Sequence, residues 1–219
     1  MAGDDQPFDS LDPAWELAFE QAWRSWCAGS MAIGAAIVDQ QGDVVSTGRN
    51  RVLEGAGSGP VAGALIAHAE MDAFASLGHR LGDKLSLYTT VSPCLMCTAT
   101  AIALRIGAVH VGTEDPVFEG LDDALSTHPY CAGRIPARER LRDARLCAMA
   151  RLLPMTARVW SRPGVAPRPE WLRLHADEWA TASDLIQSGL LSKLAVAKVS
   201  VRDVYEALRT RLDTLVTSG

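Results

Sequence analysis

His68-Ala69-Glu70 and, further along, Pro93-Cys94-Leu95-Met96-Cys97 are the two stretches on which the reading of this chain turns. An imidazole and two sulfurs suit a borderline-soft cation such as Zn2+, and three protein ligands leave the fourth tetrahedral position open for water. Ser92-Pro93 reads as an N-cap followed by a first-turn proline, which predicts a helix over Cys94–Arg105. Cys94 and Cys97 then stand at i and i+3 on one face of its first turn, so both sulfurs can reach one ion. The partial positive charge of the helix start favours thiolates there. His68 must come from a second element, and a helix over Ala64–Leu77 is expected to carry it near its start. Glu70 lies beside it, not needed as a ligand and free to move protons.

Two other uses of these residues are conceivable. A redox pair would account for the spacing of Cys94 and Cys97 but gives no role to His68 or Glu70. A structural zinc needs a fourth protein ligand, for which His79, His110 and Cys131 are the candidates. The expectation is a catalytic site, with His68, Cys94 and Cys97 on the metal and Glu70 off it.

The chain has 219 residues, of which 48% are hydrophobic, enough for a sizeable core in one domain with an appendage. Its five cysteines are an odd number, which argues against a disulfide framework; Cys27, Cys131 and Cys147 read as small buried thiols. The start, Met1-Ala2-Gly3-Asp4-Asp5, lacks the layout of a signal peptide, and no apolar run approaches the ~20 residues that span a bilayer. A cytoplasmic protein without a membrane partner is expected. Charge is uneven: the net value is −5, yet residues 134–173 carry ten arginines against three acids. Arg134, Arg138, Arg142 and Arg145 are spaced for one helical face, which would suit nucleic acid. A solvated face is the plainer reading, because 18 of the 21 basic residues are arginine.

Around the two motifs, Asp12 and Pro13 open a helix over 13–27 with Trp15, Phe19, Ala22 and Trp26 on its apolar stripe. Met31–Val38 reads as a strand buried on both faces and Val44–Gly48 as its hairpin partner. A Gly-rich loop through Gly63, expected to be flexible, leads to the histidine. Leu85–Thr90 and Val109–Gly112 are further strands. Alternating strands and helices imply a sheet covered on both faces. Beyond about residue 135 only helices are expected: Arg138–Leu153, ended by Pro154, then Glu170–Gln187 and Val201–Val216 after a stiff linker. The domain reading is a catalytic unit over 1–135 and a helical C-terminal extension over 136–219.

An H-x-E motif followed by P-C-x-x-C is the signature of zinc-dependent nucleobase and nucleoside deaminases. In order and spacing, the chain from about residue 14 to 130 resembles the cytidine deaminase superfamily, nearest its tRNA adenosine and guanine/cytosine deaminase branch. The matching pieces are Ile33-Gly34-Ala35, Gly48-Arg49-Asn50-Arg51, Ala67-His68-Ala69-Glu70, Leu87-Tyr88-Thr89-Thr90, Pro93–Cys97, Arg105-Ile106-Gly107 and Gly112-Thr113-Glu114-Asp115. The resemblance implies an α/β fold, a three-layer α-β-α sandwich on a mixed sheet of about five strands, assembled as a homodimer or larger. It implies Zn2+ on His68, Cys94 and Cys97, Glu70 as proton shuttle, and substrate contacts from Asn50, the Ala69 backbone and Asp115. The implied substrate is a small nucleobase or nucleoside whose exocyclic amine is hydrolysed to a carbonyl with loss of ammonia. The alternative is a tRNA-specific adenosine deaminase that holds RNA on the arginine-rich segment. Ser92 departs from that branch, which usually has Glu before Pro-Cys, and the loop between Asn50 and His68 is longer than in its tRNA enzymes.

Overall fold

The computed structural model describes residues 11–79, 82 and 84–218, so the acidic segment Met1–Asp5 lies outside the described residues. As the sequence predicts, the first helix, α1 (Pro13–Cys27), is capped by Asp12, whose carboxylate accepts from the Ala14 N–H at 2.8 Å. Trp15, Phe19, Ala22 and Trp26 are all buried. Strand β1 (Gly34–Val38) is buried at every position and pairs antiparallel with β2 (Val44–Arg49). On its other side β1 pairs antiparallel with β3 (Ser86–Val91), which is followed by the parallel strands β4 (Ala108–Thr113) and β5 (Ala137–Arg140). The sheet order is β2-β1-β3-β4-β5.

Helices α2 (Ala69–Ala75) and α3 (Leu95–Leu104) cover one face, where Ala73, Phe74 and Ala101 meet Ile37, Leu87 and Val109. Helix α1 lies on the other face together with α5 (Ala144–Ser161); α4 (Leu121–Ser126) joins β4 to β5. The fold is the three-layer α/β sandwich on a five-stranded mixed sheet that the resemblance implies. Gly48 shows how closely the layers approach. A Cβ there would collide with the Ala69 carbonyl and the Ala73 N–H, because the start of α2 sits directly on β2.

Residues 138–153 depart from expectation. Arg138 lies in β5, beyond residue 135, and α5 begins only at Ala144, capped by Asp143. Three of the four side chains of β5 are charged, and consecutively, so the strand carries no apolar alternation to betray it; its pairing with β4 makes it a strand. Arg134, Arg138, Arg142 and Arg145 therefore occupy a turn, a strand, a loop and a helix start, and share no helical face. Pro154 does not end α5. An interior proline costs about 3 kcal/mol, but continuing the helix buries Met155 and Ala157 and lets Thr156 accept from the Trp26 indole at 3.1 Å. Burying one large apolar side chain contributes about 1.5–3 kcal/mol, so the packing outweighs the break.

The remaining helices are α6 (Pro169–Leu174), α7 (Ala176–Ser188), α8 (Leu190–Val196) and α9 (Val201–Ser218). The single helix expected over 170–187 is thus two, broken at His175, and α8 is an addition. Leu185, Leu191, Leu208 and Leu212 are fully buried in the same cluster as Phe19 and Trp23 of α1. Trp23 also donates to the Val199 carbonyl at 3.0 Å. No helix among the described residues is long and apolar enough to cross a membrane.

Candidate metal centre

Two helix starts converge beyond the sheet, and each is capped by a residue singled out in the sequence. His68 is the N-cap of α2 and Cys94 that of α3; both are extended (φ −70°, ψ 159° and φ −70°, ψ 175°), and neither side chain makes a capping hydrogen bond. An N-cap side chain ordinarily accepts from a first-turn N–H. Here both are directed at each other, with 3.5 Å between His68 Nδ1 and Cys94 Sγ.

Both helices start later than expected. Ala64–Ala67 forms tight turns instead of a first turn of α2, because the Ala67 carbonyl is taken by the Arg51 N–H at 2.8 Å. Ser92 is not a helix cap; its hydroxyl accepts from the Asp115 N–H at 2.7 Å and ties the loop after β4 to the approach to α3. Cys94 takes the capping position, and its carbonyl accepts from the Thr98 N–H at 2.8 Å.

Cys97 Sγ lies 3.6 Å from Cys94 Sγ and 3.6 Å from His68 Nδ1, completing a triangle. Tetrahedral zinc with Zn–S near 2.3 Å and Zn–N near 2.0–2.1 Å separates its ligands by about 3.6 Å (N to S) and about 3.8 Å (S to S). The donor set therefore fits zinc in both chemistry and spacing. Electrostatics agree. Its hydrogen bond with Cys97, and then the one with His68, pull the Cys94 thiol down to about 4, while the same contact with Cys94 pushes Cys97 up. Two sulfurs this close compete for one negative charge, and a cation between them lets both ionise. Among the described residues only His68, Cys94 and Cys97 group in this way, and none of the candidate fourth ligands joins them. His110 instead stacks on Tyr88, with ring centroids 4.1 Å apart.

Glu70, in the first turn of α2, is 3% exposed. Burial pushes its carboxyl up to about 7, against the opposing pull of its own backbone N–H and of His68. Its carboxyl is within hydrogen-bond reach of Cys97. Ala69 is buried at the start of the same helix. Asn50 is buried on the loop after β2, where its Oδ1 accepts from the Ser30 hydroxyl at 2.8 Å and the Val52 N–H at 3.2 Å. Its amide N–H2 keeps no partner among the described residues. Asp115 follows β4; burial raises its carboxyl, while the Val117 N–H and the Trp171 indole oppose the shift.

Two features went unread in the sequence. The loop expected to be flexible is braced: Arg49 and Arg51 both bind Glu54, and Arg51 also binds the buried Asp72 at 2.8 Å. The arginines flanking Asn50 were the available signal. Trp171 of α6 donates to Asp115 Oδ1 at 2.8 Å, which brings the C-terminal helices to the site. No local pattern announces a contact between positions this far apart.

Residues 10–113 match the cytidine and deoxycytidylate deaminase zinc-binding region. A tRNA-specific adenosine deaminase of Aquifex aeolicus is 32% identical over 124 residues, which make up 52% of this chain and 77% of that protein. The chain belongs to the cytidine deaminase superfamily. A tRNA(Ile)-lysidine synthase of Deinococcus radiodurans is 29% identical to this superfamily member over 147 residues, 62% of this chain but only 24% of that protein. The chain thus spans about a quarter of that relative's length. A solved structure from work on A-to-I editing by tRNA:A34 deaminases superposes with a TM-score of 0.50 at 26% identity, covering 58% of this chain and 96% of that one.

Proposed function

We propose that the protein is a zinc-dependent hydrolytic deaminase that converts an exocyclic amine of a nucleobase or nucleoside to a carbonyl and releases ammonia. The observation that carries this reading is a buried carboxyl, Glu70, in the first turn of the helix that His68 caps, beside three metal donors. Zinc held by His68, Cys94 and Cys97 would supply Lewis acidity that lowers the pKa of water from about 15.7 to about 7. A carboxyl close to the metal donors but not needed as a ligand can carry a proton in both directions. Glu70 holds that proton at its carboxyl oxygen, delivers one to the ring nitrogen of the base and another to the departing amine. The Asn50 amide and the Ala69 backbone orient the base, and Asp115 closes the pocket toward Trp171. In net terms water enters, the C–N bond breaks and a C=O bond remains. A cytoplasmic dimer is the assembly we infer from the same family reading.

One observation favours a tRNA substrate: the similarity to a protein named for that activity. Four of the ten arginines between residues 134 and 173 speak against it. Arg138 binds Glu114 and Asp122, Arg140 binds Glu114, Arg145 binds Asp213 and Arg151 binds Glu178, so these charges are already neutralised within the chain. Polynucleotide binding needs free cations for phosphates.

Ammonia release from adenine, guanine, cytosine and their nucleosides, with the parent chain and Glu70→Gln, tests the proposal. The variant should keep stoichiometric zinc and lose about 10²–10⁴-fold in turnover. Full turnover by the variant, or release from none of the substrates by the zinc-loaded parent, would refute it. Weak tRNA binding with no slope in salt removes the RNA alternative.

A further inference from the structure

Around Asp115 lies a cavity of about 170 Å³, whose lining includes Met31, Ile33, Arg158, Arg168 and Trp171. It is smaller than pockets for drug-sized ligands, which run about 300–1,000 Å³, and suits one compact group. Asp115 connects it to the metal: its carboxyl feels Arg168 as well as Cys94, and its N–H is bound by Ser92, two residues before Cys94.

The arginines at this cavity differ from the four paired arginines of the same segment. Among the described residues, Arg158, Arg162 and Arg168 have no ion pair, whereas Arg138, Arg140, Arg145 and Arg151 all do. Arg158 Nε is buried without any hydrogen-bond partner among those residues. Burial and then repulsion from Arg162 and Arg168 make its charge harder to hold, so three guanidiniums are gathered with little to balance them. Asp115, the acid that lines the cavity, already accepts from Trp171 and Val117. A buried donor and an uncompensated cationic cluster are what an incoming anion corrects, and a guanidinium fork matches phosphate.

We propose that Arg158 and Arg168 form an anion subsite that takes the phosphate of a nucleoside monophosphate whose base reaches the metal centre. The identity of the attached base rests on the deaminase reading; the anion binding does not. A mononucleotide fits better than a polynucleotide, because Arg158 and Arg168 line one small cavity rather than an extended surface. Arginine stems also cover apolar surface, so the test must isolate charge.

Trp171 lines the cavity, so quenching of indole fluorescence in the zinc-loaded full chain reports occupancy. Titrations use inorganic phosphate, then adenosine, guanosine and cytidine against their monophosphates. For the base the site accepts, the monophosphate should bind about 10- to 100-fold tighter than the nucleoside, as charge-assisted hydrogen bonds allow. Arg158→Gln and Arg168→Gln should each bring that ratio toward one while nucleoside affinity holds, and inorganic phosphate should stop quenching. Arg168 is exposed, so its variant decides the matter if Arg158→Gln misfolds. Equal affinities for nucleoside and monophosphate, or an unchanged ratio in a folded variant, overturn the proposal. So does steeply salt-dependent tRNA binding that Arg158→Gln abolishes while no monophosphate binds. Glu70→Gln carried alongside separates the two readings: it should keep the ratio whether or not the parent releases ammonia.

Discussion

Replacing Gly48 by Ala adds one methyl group at the place where α2 rests on β2. That methyl would overlap the Ala69 carbonyl and the Ala73 N–H, both backbone atoms that cannot rotate away, and real Cβ contacts essentially never fall below 3.0 Å. The helix must retreat or tilt, and it carries His68 as its cap and Glu70 in its first turn. Gly34→Ala is the matched control. Its methyl would overlap the Ala18 carbonyl and the Ala22 N–H of α1, on the opposite face of the sheet, where no metal donor sits. Overpacking of this kind costs about 1–3 kcal/mol, which in a chain of this length lowers Tm by about 2–12 °C. Both variants should pay a similar stability cost. Only Gly48→Ala should also weaken zinc, by about 10–100-fold in a chelator competition, since displacing the support of a ligand has that effect. Turnover should fall about 100-fold, as for a misplacement near 1 Å. If Gly48→Ala melts with the parent and holds zinc equally well, or if Gly34→Ala loosens zinc to the same degree, the argument that close packing aims His68 is wrong.

Two further outcomes are expected. Burial opposes ionisation of Glu178, but hydrogen bonds from His175 and Arg151 outweigh it and hold the carboxyl at about 2. A depressed folded-state pKa stabilises the fold above the unfolded value near 4.3 and loses that effect as pH falls toward 2, on the order of 2–3 kcal/mol; urea midpoints of the parent and Glu178→Gln should therefore be well separated at pH 6 and converge at pH 2, and a gap that stays constant would contradict this. A chain ending at residue 160 should yield insoluble protein that binds hydrophobic dyes rather than a soluble, less active enzyme, because Leu185, Leu191, Leu208 and Leu212 complete the cluster around Phe19 and Trp23; a soluble, cooperatively melting truncation would refute it.

How much of this was readable in the chain depends on the range of the interaction. The caps, the α1 stripe and the hairpin are local, and Asp12, Pro13 and the alternation of apolar residues announce them. Pro93-Cys94 and His68-Ala69-Glu70 announce donors of the right chemistry, though not that each ligand caps its own helix in an extended conformation. That detail follows from long-range hydrogen bonds, Arg51 to Ala67 and Asp115 to Ser92, which displace both helix starts.

By itself, then, the order of residues determined the superfamily, the donor set and the alternation of strands and helices, because these follow from side-chain chemistry and periods of two to four residues. Only the tertiary structure decided that charged Ala137–Arg140 is a strand, that Pro154 stays inside a helix, and that Trp171 and Arg158 share a cavity with Asp115. The reason is physical: a ladder with β4, the burial of neighbours and the meeting of residues distant in the chain are properties of packing, and no short window of sequence contains them.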